Sequence, residues 1–165
     1  MLFLVLSFLL CEPTFLYEDY EVLKDIGSKF TITIEGDAKK IGLTEEGLRT
    51  IAELRLRKEE ITIVDEASRE IPIVYVNINM VGPVYNVDLM IYDWAELKRR
   101  PSPNWTLVAI WTQGETGIHG EDAEWIVSSL NELFDSFFND YYKANPKEKK
   151  RAETFSLAFL RGGMW

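Results

Sequence analysis

The chain has 165 residues, is 47% hydrophobic and 13% aromatic, and carries a formal net charge of -9. That length fits one domain, and that apolar content excludes wholesale disorder. The acids concentrate in residues 12–142, so the body of the chain repels phosphate backbones and generic nucleic-acid binding is disfavoured. Bases gather instead at Lys143, Lys147, Lys149, Lys150 and Arg151. A run of that kind is expected as a solvated helix end or tail, with contact to an anionic surface as the functional alternative.

Chemistry-bearing residues are scarce. Cys11 is the single cysteine and His119 the single histidine. No intrachain disulfide can form, and a Cys/His zinc site has too few ligands within one chain. No Asp-rich calcium loop is present. The expectation is a domain without a cofactor, a metal or a catalytic constellation.

Residues 2–10 read LFLVLSFLL. The run is too short to span a bilayer as a helix and has the length of a signal-peptide apolar region. No Lys or Arg precedes it, and no small-x-small cleavage pattern follows. Cys11 directly behind the run suggests a bacterial lipoprotein signal with lipid attached to that cysteine, although Leu10 stands where a small residue belongs. Export is expected, to the periplasm, the envelope or the medium, with membrane contact only through this segment. A buried first strand or helix is the other reading.

Residues 12–29 form an acidic, aromatic lead-in. Residues 30–36 alternate Phe30, Ile32 and Ile34 with Thr31, Thr33 and Glu35, the period of a strand with one buried face. Thr44 is a natural N-cap. Glu45 and Glu46 suit the first turn of a helix, and Leu43 and Leu48 have hydrophobic-staple spacing. The helix continues to about Lys58, with Leu48, Ile51, Ala52, Leu54 and Leu56 as its apolar set and Arg49, Arg55 and Arg57 outward or at the rim. Residues 61–64 make a short strand.

Residues 72–81 read as the clearest strand, with Val74, Val76, Ile78 and Met80 on one face and Tyr75, Asn77 and Asn79 on the other. Gly82-Pro83 turns the chain. Residues 84–93 return as a hairpin partner, with Tyr85, Val87, Leu89 and Ile91 apolar. Residues 105–113 give a further strand, with Leu107, Ala109 and Trp111 opposing Val108 and Ile110. A glycine-bearing loop, residues 114–120, then leads into a helix from Glu121 to about Ala144. Ala123, Ile126, Val127, Leu130, Phe134, Phe137, Phe138 and Tyr141 form its buried stripe, and Pro146 stops it. The predicted fold is α+β. A mixed, mostly antiparallel sheet of four to five strands in the order βαββββα carries both helices on one face, within a single domain over residues 30–146. The first strand–helix–strand step should be parallel and the later strands an antiparallel meander. Residues 147–165 form a basic and apolar tail.

Few candidate sites survive comparison with plain structural roles. Gly114, Gly117 and Gly120 precede a helix N-terminus, where backbone N–H groups can hold an anion. Glu115, Glu121 and Asp122 crowd that place, and the plain reading is a connector. His119 offers a general base or an incidental loop residue. Ser128 and Ser129 lack a nucleophile-elbow context. The pairs Asp65/Glu66 and Asp88/Asp93 fit acid–base work and equally fit an acidic surface. Asp88 is expected to be exposed. Trp94, Trp105, Trp111, Trp125, Trp165 and the tyrosines either rim the core or serve an interface. Tyr75, Asn77 and Asn79, with Thr31 and Thr33, mark a semi-polar sheet face that meets solvent or a partner.

The segments IGLTEEGLRTIAELRLR, VYVNINMVG, IWTQGETGIHG and LNELFDSFFNDYYKANP resemble a group of small exported bacterial proteins of uncharacterised function. The resemblance spans roughly residues 41–146. It implies a signal-bearing, secreted or envelope-associated product and supplies no reaction and no site residues. The element order is also similar to the α+β amino-terminal domain of the periplasmic TolB protein and to the curli secretion lipoprotein family, a likeness of fold alone. The leading expectation is a non-catalytic envelope domain that binds another protein through its aromatic sheet face or a sheet edge. The alternatives are a binder of a small molecule or anion at residues 114–120, and an enzyme using surface carboxylates.

Overall fold

Alternation along residues 29–36 buries Phe30, Ile32 and Ile34 and exposes Thr33 and Glu35, as a strand with one covered face requires. In the computed structural model, which describes residues 19–36, 41–98, 104–120 and 122–148, this strand is the hub of an α+β fold. The elements are β1 (Lys29–Gly36), α1 (Glu45–Lys58), β2 (Thr62–Ile63), β3 (Ile73–Val81), β4 (Val84–Glu96), β5 (Trp105–Ile118) and α2 (Ala123–Ala144). A short 3-10 helix, Asp19–Leu23, precedes β1. One five-stranded mixed sheet runs β2-β1-β3-β4-β5. β1 is parallel to both β2 and β3, while β3, β4 and β5 form the antiparallel meander. The apolar run of residues 2–10, Cys11, and the tail beyond Glu148 with Trp165 lie outside the described residues.

The cap of α1 is as expected: Thr44 is extended and its hydroxyl accepts from the Gly47 N–H at 3.0 Å. Leu48, Ala52 and Leu56, spaced by four, are the buried stripe. Leu54 does not belong to it and is 64% exposed. It lies about 200° around the helix from Ala52, since each residue turns the helix by roughly 100°. Arg55, expected outward or at the rim, is at the rim: it lies over the Phe138 ring at 5.7 Å and pairs with Asp135 of α2. The two helices therefore lie side by side on one sheet face.

α2 is capped by Asp122, whose carboxylate accepts from the Glu124 N–H at 2.8 Å. Ile126, Leu130, Leu133, Phe134, Phe137, Phe138 and Tyr141 are buried against the sheet. Facing them are Phe30, Val74, Val76, Ile78, Tyr85, Val87, Leu89, Ile91 and Trp111. The lead-in closes one end of this core. Leu23 is fully buried. The Asn145 side chain donates to the Leu23 carbonyl at 2.8 Å and accepts from the Asp25 N–H at 2.9 Å.

β4 and β5 are longer than the sequence implies, reaching Glu96 and Ile118. The expected face of β5 is corrected as well. A bulge pairs Ile91 with Trp111 but Tyr92 with Ala109. One extra residue in a strand reverses the alternation beyond it. Trp111 thus enters the core, whereas Ala109 and Leu107 turn to the opposite face.

Candidate recognition surface

Both long helices pack on the Phe30–Val76–Leu89 side of the sheet, and the other side is uncovered by any helix among the described residues. Cross-strand register composes this open face, because directly paired residues share a side. Asn77 pairs with Asp88 and Asp88 with Gly114. Asn79 pairs with Asn86, and Asn86 with Thr116. The centre is a hydrogen-bonded polar lattice. Asp88 accepts from Asn86 Nδ2 at 2.6 Å and from Asn77 Nδ2 at 3.4 Å, and the Thr116 hydroxyl donates to Asn86 Oδ1 at 2.8 Å. Asp88, expected to be exposed, is half-buried in this lattice.

Beside the polar centre the Tyr75 hydroxyl donates to the Glu35 carboxylate of β1. That bond, with a smaller desolvation and the nearby negative charge, pushes the Tyr75 phenol up to about 12. The phenol is therefore a proton donor at any ordinary pH. The Tyr75 and Tyr92 rings meet edge to face at 5.7 Å. Trp94 continues the same side of β4 and lies under the Arg69 guanidinium at 5.9 Å. Trp94 pairs with Leu107 and Glu96 with Trp105. At the opposite end Val81, Val84 and Ile118 stand abreast on three strands, with Val81 80% and Ile118 69% exposed. The surface therefore has a polar centre between an aromatic end and an aliphatic end.

Tyr75, Asn77 and Asn79 lie together on this face as the alternation of β3 implies. Tyr92, Trp94, Asn86 and Trp105 were not attributed to it. The available signal was the alternation of β4, which sets Asn86 and Tyr92 opposite Tyr85, Val87, Leu89 and Ile91 and continues past Asp93 to Trp94, whereas Trp105 is placed by its pairing with Glu96.

The glycine loop is corrected. Residues 114–118 are the last part of β5, paired residue by residue with β4. Gly117 is opposite Tyr85, and a Cβ there would lie 2.6 Å from the Tyr85 hydroxyl oxygen. A Cβ at Gly114 would meet the Asp88 carboxylate at 2.3 Å. These glycines admit their cross-strand neighbours, and a strand points its N–H groups alternately to either side. No converging N–H cradle for an anion forms across Gly114 and Gly117, and only Gly120, at φ 53, turns the chain. His119 is not an exposed loop base either. It is 5% exposed, its Nε2–H donates to the Gly82 carbonyl at 3.1 Å, and its backbone N–H donates to Pro83 at 3.0 Å. It clips the β3–β4 turn to the end of β5.

The remaining candidates are not brought together. Ser129 is buried and bonded to the Tyr85 hydroxyl at 2.8 Å. Ser128 lies on a shallow depression with Asp122, Glu124 and the 60% exposed Trp125. Asp65 and Glu66 are exposed in the loop before β3. Asp88 and Asp93, five positions apart on β4, point to opposite sides of the sheet. Among the described residues no three His, Cys, Asp or Glu side chains are placed to hold a metal ion. Among the same residues, no helix is long and apolar enough to cross a membrane. Compared with known protein families and with curated proteins, the chain matches none.

Proposed function

We propose that this chain is the recognition domain of an exported or envelope-associated protein and binds another protein through the open face of its sheet, without chemistry of its own. The observation that supports the proposal is the placement of both long helices on one face. This leaves the face of Tyr75, Asn77, Asn79, Tyr92 and Trp94 as a broad surface combining aromatic rings with fixed polar groups. Interfaces are enriched in Tyr and Trp for that reason: large contact area with a polar handle. Export is proposed on the apolar run of residues 2–10 followed by Cys11.

Asn79 offers the cleanest test, because it is exposed and lies outside the hydrophobic core. Asn79→Trp adds bulk in the middle of the face. Its melting temperature should stay at the wild-type value, while recovery of the partner from cross-linked envelope extract should fall at least tenfold. Undiminished recovery by the variant, or no partner recovered by the wild type, counts against the proposal.

A further inference from the structure

The open face carries a second kind of information, the chemistry of what it accepts. We infer that the partner's docking element is basic and lays arginine side chains along the Tyr75–Tyr92–Trp94 row. The inference rests on the proposed recognition role and goes beyond it in naming the partner's chemistry.

Charge selects among the possible occupants. The strand positions of this face include Glu35, Asp88 and Glu96 and one base, Lys29, and Arg69 reaches over Trp94 from the loop before β3, so carboxylates outnumber cations three to two. A second copy of the chain, docked face to face, would set these carboxylates against their own kind. A phosphate backbone meets the same repulsion. A wholly apolar partner would strip water from Glu35 and Asp88 without replacing it, a costly burial for charged groups. A basic element answers the face's sign.

The aromatic row selects arginine over lysine. Arg69, from the loop before β3, already holds its guanidinium over the Trp94 ring at 5.9 Å, within the range of cation–π attraction. The row thus accepts one guanidinium from the chain itself. Tyr75 and Tyr92 continue it, with ring centroids 5.7 Å apart. A guanidinium stacks on a ring while its edge donates to a carboxylate, which a compact ammonium cannot do as well. Carboxylates stand at both ends of the row. Glu35 uses one oxygen for the Tyr75 hydroxyl, and an ionised carboxylate offers about four acceptor sites. Glu96 is exposed beside Trp105.

The test uses the full chain and tryptophan-free synthetic peptides in which arginine, lysine or glutamate alternates with valine, with a chitooligosaccharide as an uncharged ring-stacking probe. Binding is read by calorimetry and tryptophan fluorescence. The arginine peptide should bind, at least fivefold more tightly than the lysine peptide, and the glutamate peptide and the sugar should not. Glu35→Gln keeps an acceptor for Tyr75 and removes only charge. Combined with Glu96→Gln, it should weaken the arginine peptide at least tenfold at an unchanged melting temperature. Equal binding of the arginine and lysine peptides, binding indifferent to the two Gln substitutions, preference for the sugar, or no binding overturns the inference. A partner that depends on Asn79 yet docks without arginine overturns it as well, while leaving the recognition role in place.

Discussion

Phe137→Ala is expected to remove about 3–5 kcal/mol of stability, the cost of deleting a buried aromatic ring and leaving its cavity. Phe137 is fully buried and joins α2 to β1 and to β5 on the covered face of the sheet. Its ring meets Phe30 of β1 at 6.2 Å, Trp111 of β5 at 5.5 Å, and Phe138 and Tyr141 at 5.4 and 5.8 Å. Collapse of the site is hindered because these neighbours are anchored elsewhere. Trp111 Nε1–H donates to Asp140 at 3.2 Å, and the Tyr141 hydroxyl donates to the Gly27 carbonyl at 3.0 Å. Trp125→Ala is the control: it removes a larger ring from the same helix, but one that is 60% exposed. That change should stay within about 0.5 kcal/mol. Urea midpoints for the two variants check the difference, and equal midpoints would place the core elsewhere.

Gly117→Ala should cost about 3 kcal/mol despite adding a single methyl group. The new Cβ would lie 2.6 Å from the Tyr85 hydroxyl oxygen and 2.7 Å from Cζ. Tyr85 cannot simply swing away, since it is 4% exposed and its hydroxyl bonds Ser129 Oγ at 2.8 Å inside the core. Displacing the ring combines overpacking, about 1–3 kcal/mol, with the loss of a buried hydrogen bond whose groups are left unpaired, about 1–3 kcal/mol. A double-mutant cycle isolates the contact. In a Tyr85→Leu background the alanine should cost under about 1 kcal/mol, since the clashing ring atoms and the hydroxyl are gone. An undiminished cost in that background would mean that residue 117 acts through its own backbone rather than through Tyr85.

The elements of this fold were legible wherever periodicity spoke without interruption. The stripe from Ile126 to Tyr141 and the alternation of Val74, Val76 and Ile78 carry their burial in their spacing. Thr44 announced the start of α1 through its capping chemistry. Legibility failed where a residue's role is set by a neighbour distant in sequence. Gly114 and Gly117 look like loop glycines until Asp88 and Tyr85 of β4 are set opposite them. His119 looks exposed until the Gly82 carbonyl is brought to its ring. The bulge between Ala109 and Trp111 reverses a face without any local mark. For the same reason the open face could be read only strand by strand: Tyr75, Asn77 and Asn79 follow from alternation. Their juxtaposition with Tyr92, Trp94 and Asp88 follows from register.

Site-specific photo-crosslinking separates the two sides of the molecule most directly. A photoreactive residue placed at Asn79 samples the open sheet face, and one at Leu54, 64% exposed on α1, samples the helical side. Irradiation in cells producing the full chain should give a discrete protein adduct from position 79 and none from position 54. Adducts from both positions alike, or from position 54 alone, would contradict recognition through the open face.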